Sequence, residues 1–430
     1  GASMNTVKFR LRENNTGGYP RGIGAMLHAL QFWLYDYDPI APLAFEEPLN
    51  AIKARLAEGE EYFEGLIQSY FVANKHKTRV LLVPDTELNQ RDETSEKEKL
   101  ASIQKEMSSE EIEEMIRTTK ELIEIQNTPD TPKNLATLPT LELKDLDKEN
   151  KRIPIAEERI NDVTVLHHDL ATNGIFYLGM GLDLHTLPED LLPYTELFGR
   201  ALLEVGTDSE DFVKLSQRIG RDTGGIYPSI FTSTIWESNE SAAYLFLHGK
   251  STVEQAEKLS GLLHDVLLTA KLDNAERFKQ IVLEEKAGME SGLIPSGHMV
   301  VHGRLASKFH EAGWLEEKME GIDFLFFLRE LAERIEEDWQ GVLADLELIR
   351  ELLINQSNLL FNITCNAKAW REIRPQVKDL ISSIPQNDIR HANWSPDFGK
   401  ENEGLTIPAQ VNYVGKGANL YYQGYELSGS

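Results

Sequence analysis

From residue 155 to residue 385, strand-type and helix-type hydrophobic patterns follow one another without a polar break, and this run limits the possible folds more than any other feature. Residues 174–184 show the pattern most clearly. Ile175, Tyr177, Gly179, Gly181 and Asp183 alternate with Phe176, Leu178, Met180, Leu182 and Leu184, the period of two that gives a strand two different faces. Strands are also predicted at 163–168, 226–235, 242–248 and 357–364. Helices are predicted at 188–205, 209–220, 251–270, 274–291, about 297–312, 321–335, 336–354 and 366–382. Such an order describes a complete α+β domain over 155–385, a two-layer structure with helices on one face of a mainly antiparallel sheet.

The flanking segments read differently. A strand is predicted at 6–11, where Val7, Phe9 and Leu11 alternate. A Gly-rich turn follows, then a helix with Ile23, Met26, Leu27, Leu30, Trp33 and Leu34 on one face. Further helices are predicted from Pro48 to Gly59 and over about 60–74, then a strand at 79–83 stopped by Pro84. Strand, helices and strand make half of an α+β layer with a bare sheet edge, so residues 1–85 are expected to be the later part of a second such domain. Glu and Lys dominate 86–127, Ser108 and Glu111 have the spacing of a capping box, and Pro129, Pro132 and Pro139 follow. Residues 86–154 are therefore expected to be a helical hairpin and linker. Residues 386–430 read as a polar linker and the first strand of another domain, at 410–414. The sum is half a domain, a hairpin, a whole domain and the opening of a fourth, as expected of an internal portion of a longer protein.

At 430 residues the chain exceeds the size at which single cores stop growing. Its formal charge of −26 argues against a nucleic-acid partner, which would require a basic face. An acidic wall would attract basic ligands, although the same charge also serves to keep a large protein dispersed. The single cysteine, Cys365, ends an apolar strand-like run and reads as core rather than nucleophile; one unpaired cysteine favours a reducing compartment. No run approaches the roughly 18 apolar residues that a membrane helix needs. Residues 1–5 show no basic region leading into an apolar one, so no signal peptide is in view.

A search for chemistry returns little. His298 and His302 stand at i, i+4 on a predicted helix, a spacing that puts two imidazoles on one face. However, Met299 and Val301 occupy the positions where the H-E-x-x-H and H-x-x-E-H motifs need Glu. His167 and His168 adjoin in a strand and so point to opposite faces. No G-x-S-x-G elbow occurs. The run from Gly220 to Gly225 lacks the G-K-[ST] ending of a phosphate loop and reads as a turn before a strand.

Several segments resemble a known family in a specific way. They are L-R-E-N-N-T-G at 11–17, R-D-E at 91–93, D-L-A-T-N-G-I at 169–175, L-L-P-Y at 191–194, L-S-Q-R-I-G-R-D-T-G-G-I at 215–226, S-G-H at 296–298, A-G-W at 312–314 and Q-V-N-Y-V-G-K at 410–416. In this order, and over essentially the whole chain, they resemble presequence protease, the organellar and bacterial peptide-degrading branch of the inverted-zinc pitrilysin and insulin-degrading clan.

The resemblance implies four homologous α+β domains, two per half, joined by a helical hairpin around a closed chamber. Residues 1–85 would belong to the second domain, 86–154 to the hairpin and linker, 155–385 to the third domain, and 386–430 to a linker and the opening of the fourth. The implied zinc ligands and catalytic base lie before residue 1, and the substrate-orienting residues after residue 430. No catalytic or metal residue therefore transfers to this sequence; zinc is expected in the parent protein and none on this chain. The expected role is a non-catalytic portion of a zinc metalloendopeptidase that degrades short targeting-type peptides, supplying hinge and chamber wall. The alternative is a catalytically dead peptide-binding or partner subunit of the same family. Expected partners are peptide substrates and the remaining domains of the same polypeptide, with no nucleic acid and no membrane. The expected location is cytoplasmic in a bacterium, or the mitochondrial matrix or chloroplast stroma in a eukaryote. Gly224, Gly225, Ser296 and His298 keep two readings: they line the chamber, or the glycines shape the start of a strand while Ser296 and His298 cap a helix.

Overall fold

A computed structural model of the chain describes residues 2–13, 15–146, 148–150, 152–236, 238, 240–399, 402–407, 410–420 and 424–425. Asn14, within the first family-like segment, lies outside the described residues. There are two compact units: Gly1–Leu49 together with Ile153–Ser430, and Asn50–Arg152.

The chain opens with α1 (Ala2–Glu13) and α2 (Arg21–Trp33). The strand expected at 6–11 is thus a helix. Asn5 Nδ2 donates to the carbonyls of Gly220 (3.1 Å) and Thr223 (2.7 Å), and Phe9 is buried, while Val7 and Leu11 stay 49% and 37% exposed. Three alternating apolar residues suit a strand only beside another strand; here one aromatic anchor and one amide decide for a helix.

α3 (Glu46–Ala57) leads into the second unit, which continues with α4 (Tyr62–Ile67), a π-helical turn at Gln68–Val72, α5 (Leu88–Glu106), α6 (Ser109–Asn127) and the single turn α7 (Pro132–Leu135). Residues 79–83 form no strand: Val80, Leu81, Leu82 and Val83 are 70–90% exposed. A β-prone segment without a ladder partner has nowhere to place its backbone hydrogen bonds except water. The capping box expected from Ser108 and Glu111 is present. Ser108 Oγ accepts from the Glu111 N–H at 3.2 Å, and the Glu111 carboxylate accepts from the Ser108 N–H at 2.8 Å.

The first unit resumes with β1 (Ala156–Ile160), β2 (Val163–Asp169) and β3 (Ile175–Asp183). Next come α8 (Thr195–Glu204), α9 (Phe212–Asp222), β4 (Ile226–Thr234) and β5 (Ser241–Thr252). Six helices follow: α10 (Ala256–Thr269), α11 (Ala275–Gly292), α12 (Gly297–Ala306), α13 (Glu311–Glu320), α14 (Ile322–Glu337) and α15 (Trp339–Leu353). The unit closes with β6 (Leu359–Cys365) and α16 (Ala367–Ser383). The fold is α+β, with one mixed sheet in the order β1-β2-β6-β3-β5-β4; only β2 and β6 run parallel.

Three details differ from the sequence reading. β1 precedes the first expected strand, joined to β2 by Asn161 and Asp162 at φ 50° and 65°, the left-handed pair that a tight hairpin demands. The helix expected over 297–312 is two helices. The second starts at His310, whose Nδ1 accepts from the Gly313 N–H at 2.9 Å. The strand expected at 410–414 is absent; the segment instead runs beside α12, where the Tyr413 hydroxyl donates to the Ile294 carbonyl at 2.9 Å.

The core lies on one side of the sheet. Phe176, Leu178, Met180 and Leu182 of β3, Leu245 and Leu247 of β5, and Phe361 and Ile363 of β6 are buried, in one cluster with residues of α8, α10, α14, α15 and α16. Strict alternation then fixes which residues point the other way.

Candidate functional site: the open face of the sheet

On that other side, register sets Tyr177, Gly179, Gly181 and Asp183 of β3 opposite Lys250, His248, Phe246 and Tyr244 of β5. Across β5, the edge strand β4 sets Tyr227, Ser229 and Phe231 opposite His248, Phe246 and Tyr244. The rings form a continuous pavement. His248 stacks on Tyr227 (centroids 5.0 Å, planes 26°) and on Phe246 (5.3 Å, 17°), and Phe231 meets Phe246 edge-on at 6.3 Å. The two glycines let the rings lie down. A Cβ on Gly181 would stand 3.0 Å from Phe246 ring carbons, and one on Gly179 would stand 3.3 Å from His248 Nδ1. Tyr227 and Phe231 remain 57% and 48% exposed.

The polar groups of this face are few. Ser229 Oγ lies 2.9 Å from His248 Nε2, and burial holds the His248 imidazole below its ordinary pKa, so it is neutral at neutral pH. An activated serine would need a base oriented by a third group. His248 instead stacks between two rings, and the pair serves as part of the surface. At one end of the pavement the Lys250 ammonium meets the Glu13 carboxylate at 2.6 Å, and Glu13 also accepts from the Tyr177 hydroxyl at 3.1 Å.

At the other end Asp183 Oδ1 is 2.6 Å from His185 Nδ1. That hydrogen bond raises the His185 pKa, with Glu311 and Glu240 adding to it. Burial alone would push the Asp183 carboxylate up, but its bonds to His185 hold it low.

The residues singled out from sequence fall in two places. The Gly224 N–H donates to the Lys250 carbonyl at 2.7 Å, and Gly225 adopts φ +120°, a conformation that favours glycine. Together they bring the chain into β4. Ser296 immediately precedes α12 but its side chain makes no capping bond, and the His298 ring lies 6.4 Å from that of Tyr413. Sequence reading did not find the pavement, although the alternation of Tyr244, Phe246 and His248 between buried residues was its visible signal.

For metal binding, His167 bonds the Cys365 carbonyl at 3.0 Å and His168 bonds the Pro154 carbonyl at 3.0 Å. Among the described residues no three His, Cys, Asp or Glu side chains converge as a metal site. Cys365 is buried, which pushes its thiol up to about 11 and away from the reactive thiolate.

A family model described as "Peptidase M-16C associated" matches residues 82–331. The chain belongs to this peptidase-associated family. Three curated relatives set the peptidase-associated chain in context. Presequence protease 1, chloroplastic/mitochondrial, from Arabidopsis thaliana is 39% identical over 432 residues, covering 100% of this chain and 40% of that protein. Protein HypA from Clostridium perfringens is 35% identical over 431 residues, covering 100% and 44%. The mitochondrial presequence protease of Danio rerio is 23% identical over 389 residues, covering 90% and 37%. The resemblance read from the sequence therefore stands, and the chain spans about two-fifths of the length of these relatives. No helix among the described residues is long and apolar enough to cross a membrane.

The family-like segments meet in pairs. Glu13, at the end of α1, joins Tyr177 and Lys250, while Asn5 and Phe9 of the same helix hold the Gly220–Gly225 stretch. Tyr413 rests against Gly297, between Ser296 and His298.

Proposed function

We propose that this chain is a non-catalytic portion of a zinc metalloendopeptidase that degrades short unstructured peptides within a closed chamber. The observation that carries the reading is the 39% identity to a presequence protease along the entire chain, over only 40% of that protein's length. In this reading residues 1–85 complete a second domain, 86–154 form the hinge, 155–385 are the third domain and wall of the chamber, and 386–430 lead into a fourth. The open aromatic face is the surface that such a wall would turn toward peptides. Gly224, Gly225, Ser296 and His298 act here through shape, by bringing in β4 and seating Tyr413, rather than through chemistry.

The residues of this chain do not fit a zinc site, because its histidines are engaged singly with carbonyls, rings or one carboxylate. The metal of the parent would be held by residues elsewhere, and no step of hydrolysis is assigned to this chain. Closure of the chamber would exclude water and select unfolded substrates by volume. The peptide-rather-than-nucleic-acid preference agrees with the charge of −26. A reducing compartment, the organellar matrix or stroma or a bacterial cytoplasm, agrees with the single buried Cys365 and with relatives named as chloroplastic or mitochondrial.

The test compares this chain with the longer protein that contains it, by metal analysis and by cleavage of an unstructured peptide. The expected result is stoichiometric zinc and cleavage for the longer protein and neither for this chain. Zinc-dependent cleavage by the chain alone, or none by the longer protein, overturns the reading.

A further inference from the structure

The pavement of Tyr227, Phe231, Tyr244, Phe246 and His248 is an apolar face flattened by Gly179 and Gly181 and open along the edge strand β4. Beyond β4 the exposed apolar row continues through Ile235 and Trp236, which are 43% and 76% exposed. Continuous exposed apolar surface of this kind marks an interaction site. Charge decides among occupants. The cation of β5, Lys250, is already engaged by Glu13. At the Tyr244 end Asp183, Glu240 and Glu311 together face His185, with His391 Nε2 3.8 Å from Asp183, and Asp183 also raises the Tyr244 pKa. The field at that end is negative, and so is the chain as a whole, at −26. A second copy of the chain, an anionic lipid surface or a phosphate polymer would each bring like charge to the same place.

We propose that this face binds an extended cationic peptide, placing its aliphatic or aromatic side chains on the pavement between Tyr227 and Tyr244 and a Lys or Arg at the Asp183 end. This deepens the reading above and rests on it for its setting; the binding itself needs neither metal nor cleavage. The rings supply rigid apolar contact at small entropic cost, and Asp183 supplies direction along the face.

The test uses this chain and three fluorescent peptides: alternating Leu and Arg, alternating Leu and Glu, and alternating Ser and Arg. The Leu–Arg peptide should bind at least about tenfold more tightly than either of the others. The double variant Tyr227→Ser, Phe231→Ser alters side chains already half exposed and should weaken that binding by about tenfold, as loss of aromatic anchors does. Ser233→Lys, on the same face, should weaken it through charge while leaving the circular dichroism spectrum unchanged. Equal binding of all three peptides, or unaltered binding by both variants, overturns the proposal. So does concentration-dependent self-association that the double variant abolishes, which would make the face a self-interface. Failure of the longer protein to hold zinc or cleave would undo the earlier reading and leave this binding result untouched.

Discussion

Phe9 and Gly224 touch across more than two hundred residues of chain: a Cβ on Gly224 would stand 2.6 Å from the Phe9 ring. That contact seats α1 beside the start of β4, and Asn5 reinforces it by binding the carbonyls of Gly220 and Thr223, which lie at the C-terminal end of α9.

Gly224→Ala should therefore cost about 1–3 kcal/mol, since the ring and the Lys250 stem would both have to move. Phe9→Ala should cost about 3 kcal/mol through the cavity it leaves. Because the two share one contact, the double variant should cost clearly less than their sum. Urea unfolding of the four proteins measures this; full additivity would show that α1 does not dock there.

A second expectation concerns pH. Burial, with Glu285 and Glu320 nearby, pushes the Glu196 carboxyl up to about 7, and burial also raises Glu320. A folded-state pKa above the unfolded value means that the native state binds the proton more tightly. The stabilisation is present below the ordinary carboxyl range and is lost as pH rises through about 7. Glu196→Gln, which keeps the neutral form, should remove part of the fall in urea midpoint between mildly acidic and mildly alkaline pH. An identical fall in the variant and the parent chain would contradict the assignment.

Arg304 is the third test. Its Nη1 meets Glu317 at 2.9 Å and Asp323 at 2.8 Å, and its Nε meets Glu403 at 2.7 Å. Glu317 is buried and also accepts from the N–H groups of Ile322 (2.8 Å) and Asp323 (3.1 Å), capping α14. Arg304→Met strands the Glu317 charge and should cost about 3–5 kcal/mol. The double variant Arg304→Met, Glu317→Gln should recover a good part of that, because no buried charge is then left unpaired. Thermal or urea unfolding reads both.

Much of the 155–385 fold was legible because each strand there alternates cleanly and each helix carries an apolar stripe. Residues 174–184 predicted β3 to within a residue at each end, and the Ser108–Glu111 spacing predicted a cap that the structure contains. The failures share a cause. Residues 6–11, 79–83 and 410–414 alternate as strands do, yet a strand exists only beside another, and the neighbour is not a property of the segment. The break between α12 and α13 turned on His310, whose imidazole accepts an N–H bond that no hydrophobic period announces.

For the candidate site the division is similar. Sequence placed Tyr244, Phe246 and His248 on one side of a strand, and the family-like segments pointed to peptide chemistry. It gave no means of knowing that Tyr227 would lie opposite His248, or that Gly179 and Gly181 would be the floor on which those rings lie flat.

The amino-acid sequence by itself determined the fold class, the alternation of each strand, the acidic balance and the family, because these depend on neighbours along the chain or on composition. Only the tertiary structure decided that β6 inserts between β2 and β3, that residues 2–13 are a helix anchored by Phe9, and that rings from β4 and β5 join over glycines of β3. Those outcomes rest on contacts between residues far apart in sequence, whose energies exist only once the chain has closed on itself.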